Sequence, residues 1–359
     1  MPAHAWAQAP LRNRLALSLE PRVGALLPHH DHIAFFVQQH ITGFMLNVGL
    51  QTDGSKDWHA RYNYPVMGLG YYRSNLSNNS IFGHLHGLYG YFDAHFLPAH
   101  HRLNVGNRIT FGLSYATKHH HPHANARNYM LSTHINVLFQ YDLLLRYQLT
   151  QQLDIALMAG LTHASNGNLK EPNKGANLLS GSIAARYRLR PFGPSMAEHP
   201  AERSDSTRLG LLCGVLFGAK SFAPDDNELT PCLGISLELQ HRLGPSGLCG
   251  LELALYHDRS LPKHYRLKHK TEDGFYPHSC YCITLHPTYI IQAGRLAIAL
   301  QPGLYLNGGF LPNGRITNKL GLRCQLHRDL FASVAIKAHH FAMADFIEFA
   351  LRYRFRLID

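Results

Sequence analysis

Apolar and polar residues alternate along much of this chain with a period of two. In 152–165, Ile155, Leu157, Ala159, Leu161, His163 and Ser165 share one parity, and residues of one parity lie on one face of a β-strand. A second strand starts near Asn177, with Leu179, Ile183, Ala185, Tyr187 and Leu189 on its parity and Ser180, Ser182, Arg186, Arg188 and Arg190 opposite. The same alternation runs through 233–243, 295–306 and 318–326. It is clearest in the last strand, where Ile347, Phe349, Leu351, Tyr353, Phe355 and Leu357 oppose Glu348, Ala350, Arg352, Arg354 and Arg356. A soluble sandwich rarely stacks arginines on a face that must pack, whereas the lumen of a membrane barrel accepts them. The pattern therefore predicts an all-β chain: an antiparallel transmembrane β-barrel of about 14 strands, in a range of roughly 12 to 16 because 16–75 has no clear parse.

Connections alternate in length. Tight turns fall at 149–152, 243–247, 292–294 and 327–329, and longer polar loops at 117–128, 166–176, 223–231, 258–279 and 307–316. Short turns on one side and long loops on the other are the outer-membrane arrangement, with the long loops outside. Only 191–207 breaks the rule, being long on the short-turn side. No linker or low-complexity tract divides the chain, so 8–359 reads as a single barrel domain. Ala5-Trp6-Ala7 before Gln8 has the A-x-A form of an export-signal end. Either residues 1–7 are the remnant of a signal that starts upstream, the reading favoured here because a barrel needs export, or the likeness is accidental.

Composition supports a membrane barrel. Charged residues are 16%, below the ~25% of soluble domains. Hydrophobic residues reach 45%, yet no run approaches the ~18 apolar residues of a membrane helix. The net charge of +11, with 27 histidines neutral, would ordinarily suggest nucleic acid. Here many arginines alternate with outward apolar residues and point to the lumen, and the others can meet an anionic lipid surface. Nucleic acid is not an expected partner. Of six cysteines, Cys213, Cys249 and Cys324 read as small apolar fillers, while Cys232 with Cys280 or Cys282 is a candidate loop disulfide. No cofactor or metal is expected. The run Lys118-His119-His120-His121-Pro122-His123 has metal-binding residue types but reads first as a polar loop.

The chemistry concentrates at one strand end. Residues two apart on a strand are about 6.5–7 Å apart at their α-carbons, a gap that an imidazole and a hydroxymethyl can bridge. His163 can then take the proton of Ser165 as that hydroxyl attacks a carbonyl. Asn177, on the same face of the next strand, can hold the imidazole in the right tautomer through its side-chain oxygen. Asn166, Asn168, Asn173 and Gly175 supply donors and a flexible backbone for an oxyanion hole. Leu161 and Leu179 continue the apolar stripe toward an acyl chain, and Lys170 and Lys174 are placed to meet lipid phosphates.

The run His163-x-Ser165-Asn166 followed by Pro172-Asn173-x-Gly175-x-Asn177 resembles the signature of the outer-membrane lipid A 3-O-deacylases of the PagL type, the acyloxyacyl hydrolase family. Gln51-Thr52-x-Gly54 with Trp58 and Tyr64-Pro65, the segment Asn125 to Asn136, and Ala344-Asp345-Phe346-Ile347-Glu348 are similar to its longer, larger-barrel branch. The resemblance implies an outer-membrane serine esterase that removes an ester-linked acyl chain from the lipid A of lipopolysaccharide. It also implies Ser165 as nucleophile, His163 as general base, an oxyanion hole from the Asn166 and Asn168 backbone, and Asn173 shaping it. The chain departs from the best-known members at Asn177, where they carry Glu: either Asn177 suffices in this branch, another acid such as Glu171 helps, or activity is low. Two other functions compete: a non-catalytic barrel, porin-like or structural, with a degenerate site, and a phospholipase-like acyl hydrolase.

Overall fold

The computed structural model describes residues 14–28, 30–191, 208–221, 228–244, 247–269, 280–307, 311, 313–341 and 343–358. Sixteen strands form two closed antiparallel barrels of eight. The first contains β1 (Leu15–Leu26), β2 (Ile41–Gln51), β3 (Val66–Asn75), β4 (His84–His95), β5 (Leu103–Ala116), β6 (Ile135–Gln148), β7 (Leu153–Ser165) and β8 (Ala176–Arg188). The second contains β9 (Leu209–Lys220), β10 (Thr230–Arg242), β11 (Gly247–Asp258), β12 (Tyr281–Ala293), β13 (Leu296–Tyr305), β14 (Ile316–His327), β15 (Leu330–His339) and β16 (Met343–Ile358). Among the described residues three helices lie in connections: α1 (Asp31–Ala34), α2 (Asp57–Arg61) and α3 (Ser260–His269). The undivided span 16–75 resolves into β1, α1, β2, α2 and β3.

The all-β barrel class is as the alternation predicts, but the single barrel of about fourteen strands is corrected to two. β8 closes on β1, pairing Leu19 with Ala185 and Val23 with Gly181, and β16 closes on β9 through Leu351 and Val215. The long connection 191–207 is where the chain passes from one barrel to the next, which is why it breaks the turn rule. The chain accordingly divides into two units, Met1–Asn166 with Pro172–Glu202, and Gly167–Glu171 with Arg203–Asp359. The possible signal remnant at 1–7 lies outside the described residues.

Both lumens are filled. An eight-stranded barrel is just wide enough for its own side chains, and the inward arginines meet inward carboxylates. In the first barrel Arg108 binds Asp93 at 2.6 Å and Glu20 at 2.7 Å. Arg186 also pairs with Asp93, Arg22 with Asp142, and Arg188 with Asp154. In the second, Lys319 holds Glu252 at 3.0 Å and Arg323 holds Glu238 at 2.8 Å. Toward the end of the first barrel where β7 finishes, the inward positions turn apolar. Ala164, Ala176, Leu178, Leu26 and Ile41 form a core with Met130 and Leu131 of the β5–β6 connection. Outward, Leu17, Leu19, Val23, Leu46, Leu69 and Leu88 are exposed, the apolar band a barrel shows to lipid.

All six cysteines are free thiols, and Cys232 and Cys282 are buried in the core of the second barrel. The expected loop disulfide is therefore replaced by packed thiols. Among the described residues no group of three or more metal-ligating side chains occurs, at 118–123 or elsewhere.

Candidate active site

β7 places odd-numbered residues outward: Ile155, Leu157 and Leu161 are exposed, His163 is half-buried, and Ser165 is buried on the same parity. β8 repeats this with Asn177, Leu179, Ile183 and Tyr187. Register brings His163 directly opposite Asn177, and Leu161 opposite Leu179. The even positions of the same segments, Ala164, Ala176 and Leu178, are fixed in the apolar core. The site is thus carried on the outer face of a sheet whose inner face is packed.

The three side chains meet. Asn177 Oδ1 lies 2.6 Å from His163 Nδ1, and Ser165 Oγ lies 3.0 Å from His163 Nε2. When Nδ1–H donates to the Asn177 oxygen, the Nε2 lone pair is left facing the serine hydroxyl, as a general base requires. Asn177 is thus hydrogen-bonded to the imidazole from the neighbouring strand.

Two residues of the β7–β8 connection, Asn173 and Gly175, lie against this strand end. Asn166, the residue after Ser165, donates its backbone N–H to Asn173 Oδ1 at 3.3 Å, so Asn173 adjoins the peptide that follows the serine. Gly175 has a positive φ of 76°. A Cβ placed there would come within 2.9 Å of His163 Cε1, so both the backbone conformation and the imidazole favour glycine. Gly167 and Asn168 are also left-handed, with φ of 62° and 69°. The Asn168 side chain donates to the Asp345 carbonyl at 3.3 Å within its own unit, so its amide is engaged there. Lys170 and Lys174 are exposed, as are Leu161 and Leu179.

Sequence reasoning assigned no role to the β5–β6 connection, 117–134. Its Met130 carbonyl accepts the Gly175 N–H at 2.9 Å, and its Tyr129 carbonyl accepts the Lys174 N–H at 3.1 Å. Ser132 Oγ accepts from the Asn166 side chain at 2.8 Å. The signal available was the stretch Asn125 to Asn136, whose asparagines are turn formers, but nothing local says which loop they would support.

The two barrels match two family models. Residues 42–186 match lipid A 3-O-deacylase (PagL), and residues 207–357 match the acyloxyacyl hydrolase C-terminal domain. None of the curated proteins matches the chain by sequence. Among solved structures it is similar to Neisserial surface protein A, at 12% identity over 48% of this chain and 96% of that one, with a TM-score of 0.29. It is also similar to a mutant Rh. blastica porin, at 8% identity over 95% of this chain and 99% of that one, with a TM-score of 0.21. With both barrels covered by models of one enzyme group, the chain belongs to the lipid A 3-O-deacylase (PagL) family, outer-membrane β-barrel hydrolases that cleave acyl esters of lipid A.

Proposed function

We propose that this protein is a serine esterase that removes an ester-linked acyl chain from lipid A, with Ser165 as nucleophile, His163 as general base and Asn177 as the group orienting it. The observation that carries the reading is the continuous hydrogen-bonded line from Ser165 through His163 to Asn177 on an outward, lipid-facing parity. Ser165 Oγ bonds to the ester carbonyl carbon while its proton passes to His163 Nε2. The carbonyl oxygen becomes an oxyanion, and the Asn166 N–H exchanges the neutral Asn173 oxygen for it, a stronger charge-assisted bond. As the intermediate collapses, the C–O bond to the sugar breaks and His163 returns its proton to the departing sugar oxygen. Water then attacks the acyl-serine by the same route and releases a fatty acid.

Leu161 and Leu179, paired below the site, suit an acyl chain that stays in the membrane. Lys170 and Lys174 suit lipid phosphates, and the lipids around the barrel are its other partners. A porin-like function is disfavoured by lumens filled with paired charges.

Purified protein incubated with lipopolysaccharide is expected to release fatty acid detectable by mass spectrometry. Ser165→Ala and His163→Ala should each lower the rate by about 10³-fold or more while the barrel still folds, as shown by its heat-modifiable migration. Release at the unmodified rate from Ser165→Ala would exclude the serine. Equal turnover of phosphatidylethanolamine would favour the phospholipase-like function instead.

A further inference from the structure

We infer that Ser132, on the β5–β6 connection, is a positioning residue for ester hydrolysis that acts through Asn166; this rests on the serine-esterase reading. Asn166 follows the nucleophile directly, so the orientation of its peptide sets where its N–H points relative to Ser165 Oγ. Ser132 and Asn166 are each only 1% exposed. A buried amide gains little from water, and its rotamer is set by the partners the protein supplies. Ser132 Oγ accepts from Asn166 Nδ2 at 2.8 Å, while the Asn166 N–H is held on Asn173. The residue is thereby tied at both its side chain and its backbone.

The platform carrying Ser132 is itself fixed. Asn128 Oδ1 accepts the Met130 and Leu131 N–H groups at 3.2 and 3.3 Å, and its amide donates to the Ile81 carbonyl at 3.2 Å. Asn136 Nδ2 donates to the Thr133 and His134 carbonyls at 2.9 and 3.2 Å. Met130 and Leu131 are anchored in the apolar core. One rigid connection therefore grips the β7–β8 loop twice: where it leaves the nucleophile, through Ser132 and Asn166, and where it returns beside the imidazole, through Met130 and Gly175. Oxyanion stabilisation depends on donors already aimed at the developing charge, and Ser132 keeps Asn166 aimed.

The test is a double-mutant cycle on the full chain in detergent with lipopolysaccharide. Ser132→Ala is expected to lower kcat by about 10- to 100-fold, with KM within about twofold and the folded, heat-modifiable form retained. In an Asn166→Ala background the same change should cost almost nothing, because the path it acts through is gone. Ser132→Thr, which keeps the hydroxyl, should restore most of the rate that its near-isostere Ser132→Val loses; this pair carries the test if the alanine variant does not fold. An unchanged kcat in Ser132→Ala overturns the inference. A fall that persists undiminished in the Asn166→Ala background also overturns it, since Ser132 would then act by general loosening. Loss of release in Ser165→Ala with full kcat in Ser132→Ala sinks this inference alone; full release from Ser165→Ala sinks the esterase reading itself.

Discussion

At the residue scale the unusual choice is Asn177. An amide oxygen fixes the imidazole tautomer as well as a carboxylate does, and the 2.6 Å contact with His163 Nδ1 fits that role. In the proposed mechanism it carries no charge to stabilise an imidazolium formed during attack. Asn177→Ala should therefore lower kcat by about 100-fold or more through loss of orientation. Asn177→Asp adds the missing charge on a side chain of nearly the same shape and should raise kcat by about tenfold. Both are read from initial rates of fatty-acid release, and an unchanged rate in Asn177→Ala would remove the orienting role. The parity that puts His163, Ser165 and Asn177 on one face is legible in the chain. Their meeting depends on a register, His163 opposite Asn177, that a ten-residue loop leaves open. Ser132 was not legible, because its partner Asn166 lies thirty-four positions away.

At the scale of elements, polar connections and charged inner faces decide stability. The β2–β3 connection buries His59, whose Nδ1 accepts the Gly54 N–H at 3.2 Å. Burial holds its pKa down to about 4, only partly offset by Asp53. Unfolded, the same imidazole titrates near ~6.5. Between those values the unfolded chain binds the extra proton, so the stability contributed by neutral His59 is complete above ~6.5 and is lost as pH falls toward 4, by about 3 kcal/mol at most. Urea unfolding of the lipid-reconstituted protein should show this slope in the parent chain and a flatter one in His59→Gln. In the first barrel, Arg108 serves Asp93 and Glu20 together. Arg108→Met would leave Asp93 with Arg186 alone and Glu20 with Arg22 alone, and should lower the unfolding free energy by about 3 kcal/mol, measured in the same assay. Alternation exposed the strands and showed that arginines point inward; it did not show which carboxylate each would meet, because those partners come from strands far apart in sequence.

At the scale of the whole molecule the question is what closes on what. A sheet of fourteen to sixteen strands would enclose water, whereas eight leave room only for side chains. Each barrel is filled by ion pairs and apolar groups, so the protein is expected to show no steady single-channel conductance in planar bilayers across roughly ±100 mV. Ohmic porin-like steps would contradict the filled lumens. The second barrel keeps the alternating outer face and charged interior of the first: His339 shares the inward parity of Lys337 and lies 3.5 Å from Asp345, the residue that the register skips between Phe346 and Ala344.

The chain by itself determined everything that depends on periodicity and on neighbours within a few residues. That includes strands of alternating polarity, arginine-bearing inner faces, an outward stripe ending in His163 and Ser165, and the run that marks a deacylase. Such features follow from the two-residue repeat of a strand and from turn chemistry, both local. Tertiary structure alone decided the division into two barrels, the pairing of lumen charges, the free state of the thiols and the support of the site by the β5–β6 connection. Each of these depends on which distant segments come together. Every strand carries much the same alternation, so that pattern does not specify which strand completes the ring.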